Sequence, residues 1–344
     1  MRTQHPRRFS RRCFLGGLTM AGMGGFLGLT PRRSVAEPPP ETTRLRVMQG
    51  PALCEAPIHV AQELLRGEGF SDVQYIQVPT SSYEPLAGGA IDVALHTTQS
   101  GLRRIEAGEP IVILAGIHVG CFELFGYEHV RTMRDLKGKV VVGGRLGGGP
   151  HMLVAMMAAY VGLDPQKDIT WVPQPGREAM QFFIDGKADA FIGLPPETQV
   201  LRARQIGHVV VNTTTDRPWS QYFCCMVYAH RAFVRTHPAA TKRALRAMLK
   251  ASEVCALEPE TTAQLLVDRG YLVGRGDTDS YALALAAVKE IPYGQWRQYD
   301  AEDTVRFFAL RMREAGLIKS TPQQIMAQGT DWRFLNELKK EMKG

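Results

Sequence analysis

"DITWVPQPGREAMQFFIDGKADAFI" occupies residues 168–192, and "DVQYIQVPTSSYEPLAGGAIDVAL" occupies residues 72–95. Each opens on an aspartate and crosses an apolar strand to a proline-bearing loop. Each then enters a helix and closes on Gly-x-x-Asp, with Gly186 and Asp189 in one and Gly89 and Asp92 in the other. Strand, helix and strand in that order make a βαβ unit, which requires a parallel sheet. Two such units predict two structurally similar α/β lobes. Duplication and convergent α/β punctuation lead to the same architecture.

The same rhythm extends outward. Strands are predicted at 44–50, 72–79, 90–96 and 110–119, then again at 137–144, 168–174, 187–194 and 208–213. Amphipathic helices are predicted between them at 56–69, 98–108, 177–186 and 196–207, with a short helix or turn in "SYEPLAGG". A further strand, "YFCCMVYAH", ends at His230, after which the chain reads as helices at 238–257, 260–269, 277–289, 301–316 and 331–342. Asp300 and either Thr330 or Asp331 are the expected N-caps. The prediction is a clamshell: lobe one from 44–119 plus 224–344, lobe two from 122–220. The hinge crossings fall near 118–125 and 221–228.

A chain of 344 residues with 44% hydrophobic content can bury the cores of two domains. Its formal charge of +7 invites nucleic acid, but residues 1–36 hold seven arginines and no acid. The remainder carries 34 basic and 34 acidic side chains, so no nucleic-acid partner is expected. The leader places Arg11–Arg12 before a Gly-rich apolar run and ends on Ser34-Val35-Ala36, a small-x-small cleavage site. It resembles a twin-arginine (Tat) export signal, departing at Gly16, where lysine is usual. A periplasmic location is expected, with the leader cleaved after this site or kept as an uncleaved anchor. "EPPPETT" at Glu37–Thr43 reads as a spacer before the fold.

A second glycine-rich stretch, "GGRLGGGPHMLVAMMAAYVGL", runs from Gly143 to Leu163. A P-loop needs Gly-Lys-Ser/Thr where this chain has Gly-Pro-His. A dinucleotide fold needs an acid at the tip of the next strand, where this chain has Gln174. No nucleotide cofactor is therefore expected. Pro150 suits a first helical turn, whose free N–H groups and partial positive charge favour an anion or a dipole. Gly147, Gly148 and Gly149 let a ligand approach the backbone, and His151 adds a donor.

Sheet geometry directs attention to the loops after the strands. They contain Cys54, Ser81, Thr97, Thr98, Gly148, Gly149, His151, Gln174 and Glu197. Thr97 and Thr98 suit an oxyanion or amide, or a helix N-cap, and both roles can hold at once. Glu197 at a helix start complements the dipole; facing the cleft, it would repel an anion and favour an amine. His96 reads as a packing or capping residue. Beyond the leader the cysteines are Cys54, Cys121, Cys224, Cys225 and Cys255. Those near the hinge crossings allow a bridge from Cys121 to Cys224 or Cys225, with buried free thiols the commoner outcome. A metal site using His118 or His59 has no Cys-x-x-Cys or His-x-x-x-His spacing behind it, so no metal is expected.

"LAGGAIDVAL", "MRDLKGKVVVGG", "GGPHMLVAMMAAYVGLDPQKDITWVPQP" and "FFIDGKADAFIGLPPE" resemble the solute-binding proteins of ABC importers, in the subgroup handling nitrate, taurine, sulfonates and thiamine precursors. The resemblance covers roughly 44–235. It implies a type II periplasmic-binding clamshell, each lobe a mostly parallel sheet flanked by helices, with a helical C-terminal tail. It also implies a non-enzymatic binding component for a small polar organic or anionic ligand, expected to be a monomer; His118, at a hinge crossing, is counted among the candidate contacts, although the chain departs from the family around it and around Cys54. Delivery would be to a membrane permease and, through it, an ATPase. Two alternatives remain. One is an enzyme like the fungal thiamine-pyrimidine synthase, whose longer cysteine run is only faintly echoed by "FCC". The other is a sensor docking on a membrane receptor. No Gly-x-Ser-x-Gly elbow supports a hydrolase.

Overall fold

Nine consecutive residues, Ile111–Val119, are buried, as befits a strand covered on both faces. The computed structural model describes residues 37–50, 52–78, 83–174, 176–270 and 280–342; the leader at 1–36 and its expected cleavage lie outside them. Ten strands follow in chain order: β1 Arg44–Gln49, β2 Asp72–Gln77, β3 Val93–Thr97, β4 Ile111–Val119, β5 Glu123–Gly126, β6 Lys139–Val142, β7 Ile169–Val172, β8 Ala190–Gly193, β9 His208–Asn212 and β10 Phe223–His230. The helices between them are α1 Ala56–Gly67, α2 Glu84–Ala87, α3 Thr98–Glu106, α4 Gly149–Tyr160, α5 Gly176–Ile184 and α6 Glu197–Ala203. After β10 come α7 Arg231–Thr236, α8 Pro238–Leu257, α9 Pro259–Asp268, α10 Ser280–Glu290, α11 Ala301–Glu314, α12 Pro322–Gly329 and α13 Arg333–Glu341.

The strands form two five-stranded sheets, ordered β2-β1-β3-β10-β4 and β7-β6-β8-β5-β9. The orders superimpose term by term. In each sheet one strand runs against its neighbours: β10 is antiparallel to β3 and β4, and β5 to β8 and β9. These are the strands by which the chain enters a sheet from the other one, so they arrive from the opposite end. The crossing expected near 118–125 takes in the start of β5, which is an interior strand of the second sheet. Each sheet is thus mostly parallel, flanked by helices, with a helical C-terminal tail.

The repeated Gly-x-x-Asp does the same work in both sheets. The Asp92 N–H donates to Arg46 O at 2.9 Å, and Arg46 N–H donates back to Asp92 Oδ2 at 2.8 Å. The Asp189 N–H donates to Val140 O at 2.9 Å, and Val140 N–H donates to Asp189 Oδ2 at 2.7 Å. Gly89 and Gly186, at φ 72° and 70°, take the left-handed turns that let the chain leave the preceding helix and reach the strand. The aspartate closes a ring on β1 or β6 that a backbone alone would leave open.

The C-terminal helices brace both sheets. On α11, Phe307 stacks on Tyr222 at 3.8 Å between ring centres, and Arg311 lies 5.5 Å over the Tyr160 ring of α4. Arg202 of α6 pairs with Glu123 at 3.2 Å and also with Glu290 of α10, which accepts from Gln199 at 2.9 Å. Asp300 caps α11, accepting from Glu302 and Asp303 N–H. Asp300→Ala is expected to cost about 1 kcal/mol in urea unfolding at neutral pH. The last helix differs from expectation. It begins at Arg333, after Trp332. Thr330 instead forms a lone bridge with Ile113 and its hydroxyl donates to Met326 O, while Asp331 accepts from Arg333 N–H at 3.3 Å. No helix among the described residues is long and apolar enough to cross a membrane.

Candidate functional site

Two helix N-termini from different sheets meet. α3 starts where β3 ends, at Thr97, and α4 starts at Gly149 after the glycine loop. Gln99 Nε2 donates to Gly149 O at 3.0 Å, and Arg103 donates to Gly147 O at 2.9 Å. The approach is close because there is no side chain in the way. A Cβ on Gly149 would stand 2.9 Å from Thr97 Oγ1 and 3.1 Å from Ser100 Oγ. Gly147, at φ 72°, sits where a Cβ would strike the Arg103 guanidinium. Both helices present free N–H groups and a positive dipole end to this junction.

The predicted residues divide among different tasks. Thr97 is the N-cap residue of α3; its hydroxyl donates to Ser100 Oγ at 2.9 Å, and its N–H donates to His96 Nδ1 at 2.8 Å. Thr98 is fully buried, and its hydroxyl donates to Phe223 O at 2.6 Å, fastening α3 to β10. Gly148 is the N-cap residue of α4. His151 accepts from Gly147 N–H at 3.2 Å through Nδ1 and packs on Trp171, ring centres 4.4 Å apart. Burial, aided by nearby Arg103, lowers its pKa, so the neutral ring keeps an Nε2–H donor. Gln174 follows β7 half-buried, and Glu197 opens α6 directly after Pro195–Pro196. Ser81 lies outside the described residues.

Beside the junction is a small cavity lined by Gln99, Gly120, Phe122, Leu153, Thr213, Trp219, Tyr222, Cys224 and Phe308. Four of these nine residues are aromatic, and Gln99 and Thr213 supply polar points. Neither Cys54 nor His118 lines it. Those two meet each other instead, in a buried group with Cys121 and Cys225 whose ligand atoms all lie within 4.8 Å of one another. Cys54 sits in a single 3-10 turn after β1, His118 at the end of β4, Cys121 in the crossing to β5, and Cys225 on β10. Cys121 holds φ at 135°, a strained value for a residue with a side chain. Cys121 Sγ and Cys224 Sγ are 3.2 Å apart, and all five described cysteines are free.

Electrostatics in this group are unusual. Burial opposes a charge on His118, but Cys225 and Cys54 outweigh it and push its pKa up to about 10. Hydrogen bonds from Cys121 and Cys225 pull Cys224 down to about 6 against burial. Burial raises the Glu55 carboxyl well above its ordinary value, and Cys54 and Cys225 add to the rise. The group therefore gathers thiols and one imidazole in a dry place where only opposite charges or a cation can balance them. His59 stands apart, its pKa lowered to about 3 by burial and Arg269.

Gln99, Arg103, Cys121 and Cys225 were not among the predicted contacts. Gln99 lies one residue past Thr98, at the start of the helix predicted over 98–108. Arg103 is one helical turn further on, and helix periodicity would have placed it on the same side. In the cysteine group only His118 and Cys121, three residues apart, are close in sequence; Cys54 and Cys225 come from distant stretches that the fold brings beside them.

The NMT1/THI5-like family model matches residues 59–262, more than half of the chain. No curated protein sequence matches it. The nitrate-binding protein NrtA from Synechocystis PCC 6803 superimposes with a TM-score of 0.71 at 16% identity, covering 88% of this chain and 90% of that one. The alkanesulfonate-binding protein SsuA from Xanthomonas axonopodis pv. citri, bound to MOPS, gives 0.66 at 16% identity, covering 85% and 99%. The aliphatic sulphonate binding protein SsuA from Escherichia coli gives 0.66 at 17%, covering 82% and 91%. With the periplasmic-binding fold shared and the family model matched across both sheets, this chain belongs to the NMT1/THI5-like family.

Proposed function

We propose that this protein is the extracytoplasmic solute-binding component of an ABC importer. It captures a small organic anion between its two lobes and hands it to a membrane permease, without chemical turnover. The observation that carries the reading is the meeting of α3 and α4, whose N-termini come from separate sheets and touch through Gln99 and Gly149. An anion between them would gain from both dipoles. Lobe one would comprise 44–119 and 224–344 and lobe two 122–220, closing about 118–125 and 221–228. Residues 1–36 would direct twin-arginine export.

A thermal-shift screen of the mature protein against nitrate, alkyl and aryl sulfonates, pyrimidines and small aromatic acids tests this. A true ligand at 100 times its Kd is expected to stabilise by about 2.7 kcal/mol. Conversion of any stabilising compound, followed by mass spectrometry, would replace the binding reading with an enzymatic one. Absence of stabilisation by every anion would remove the helix-start receptor.

A further inference from the structure

We propose that Cys54, His118, Cys121 and Cys225 bind one zinc ion in a closed, four-coordinate site beside the hinge crossings. The proposal stands apart from the importer reading and uses none of the cleft residues.

Three thiolates and an imidazole form one of the common closed zinc sets. Their ligand atoms lie within 4.8 Å of one another. A zinc tetrahedron with bonds of about 2.3 Å to sulfur has edges of about 3.8 Å, so the widest pair needs to close by about 1 Å. His118 is oriented for the task. Its Nδ1 lies 3.2 Å from Val119 O and 3.1 Å from Gly120 O, two acceptors that require a proton on Nδ1. Zinc binding would displace the ring's second proton and take the lone pair of Nε2, which is buried and has no hydrogen-bond partner. A backbone carbonyl fixing the tautomer of a ligating histidine is the usual outer shell of a metal site.

All four residues are at most 4% exposed, so the group offers no face to water or substrate. That makes the ion a structural tie and not a reaction centre. It would join the turn after β1, the end of β4, the outgoing crossing and the strand β10. Two of its ligands, Cys121 and Cys225, lie where the chain leaves the first sheet and where it returns. Cys224, which faces Cys121, is outside the group and lines the cleft cavity.

Metal analysis of the full chain, purified from cytosol with its thiols kept reduced and dialysed against limiting zinc, tests the site. One zinc per chain is expected, falling at least tenfold in Cys225→Ser and in His118→Ala. Cys224→Ser and Cys255→Ser should keep it. Cobalt exchange of the unmodified protein provides a readout independent of any variant's folding. Tetrahedral d–d bands with thiolate charge-transfer bands support the site; octahedral cobalt overturns it. Zinc release should accompany acidification, as protons compete for the thiolates. Less than a tenth of a zinc per chain overturns the proposal. So does a purified protein two hydrogens lighter, with Cys121 and Cys224 joined and metal absent.

Discussion

Gly149→Val will weaken ligand capture about 10- to 100-fold and leave the protein folded. The argument is steric and local. The missing Cβ at position 149 would stand 2.9 Å from Thr97 Oγ1, 3.1 Å from Ser100 Oγ and 3.5 Å from Gln99 Nε2, all on the far side of the cleft. Valine adds two more methyl groups to that contact. Overpacking of this kind costs roughly 1–3 kcal/mol, and each 1.4 kcal/mol is a tenfold change in affinity. Because the clashing atoms belong to the other sheet, the cost falls on closing the cleft, not on forming α4. Titration calorimetry with a ligand from the screen measures the loss, and circular dichroism checks the fold. Gly67→Ala is the control, since a Cβ there meets nothing within 4 Å. Undiminished affinity in Gly149→Val would show that binding does not require α3 and α4 to approach.

This contact also marks where sequence reasoning reached and where it stopped. The strands at 44–49 and 139–142 and the helices at 149–160 and 238–257 were legible because local chemistry defines them. Pro150 and Pro238 open helices, and Val-rich runs alternate with amphipathic ones. β5 was not legible: four residues, "ELFG", carry too little periodicity, and only pairing with β8 and β9 makes them a strand. α12 was overlooked although Thr321 and Gln324 form a capping box that the sequence displays. Thr98 was read as a cleft hydroxyl or a cap, but the adjacent β10 carbonyl takes its proton. Such a partner is set by tertiary packing, 125 residues away in sequence. The cysteine group was weighed only as a metal site using His118 or His59 and set aside on spacing, because tertiary packing and not local sequence assembles it. Spacing rules find metal ligands that are close in sequence; here only His118 and Cys121 are, and Cys54 and Cys225 join them from other elements.

The two aspartates of the repeat are expected to fail unequally when neutralised. Asp92 is 5% exposed, and besides the Arg46 N–H it accepts from the Arg46 guanidinium at 2.5 and 3.1 Å. Asp92→Asn keeps the shape but sets an amide where a buried carboxylate accepted from the half-buried Arg46 guanidinium, at a cost of about 1.5–3 kcal/mol. A domain is typically stable by only about 5–15 kcal/mol, so the urea midpoint should fall steeply. Asp189 closes the same ring on Val140, but its outer partner is His129 at 2.6 Å, whose side chain is 50% exposed. Asp189→Asn should cost about 1–2 kcal/mol at neutral pH. The Asp189 carboxyl sits below the usual aspartate range: burial works against the charge, and the Val140 N–H and His129 prevail. A depressed carboxyl contributes stability above its unfolded pKa of about 3.9 and loses it as pH falls through the folded value. The gap between wild type and Asp189→Asn should therefore narrow from pH 7 to pH 3 in urea titrations. An equal gap at both values would mean that the Asp189 charge contributes nothing and that the ring is held by its backbone bonds alone. Equal costs for the two substitutions at pH 7 would mean that the Arg46 guanidinium adds nothing to the first sheet, leaving the shared ring as the whole of the device.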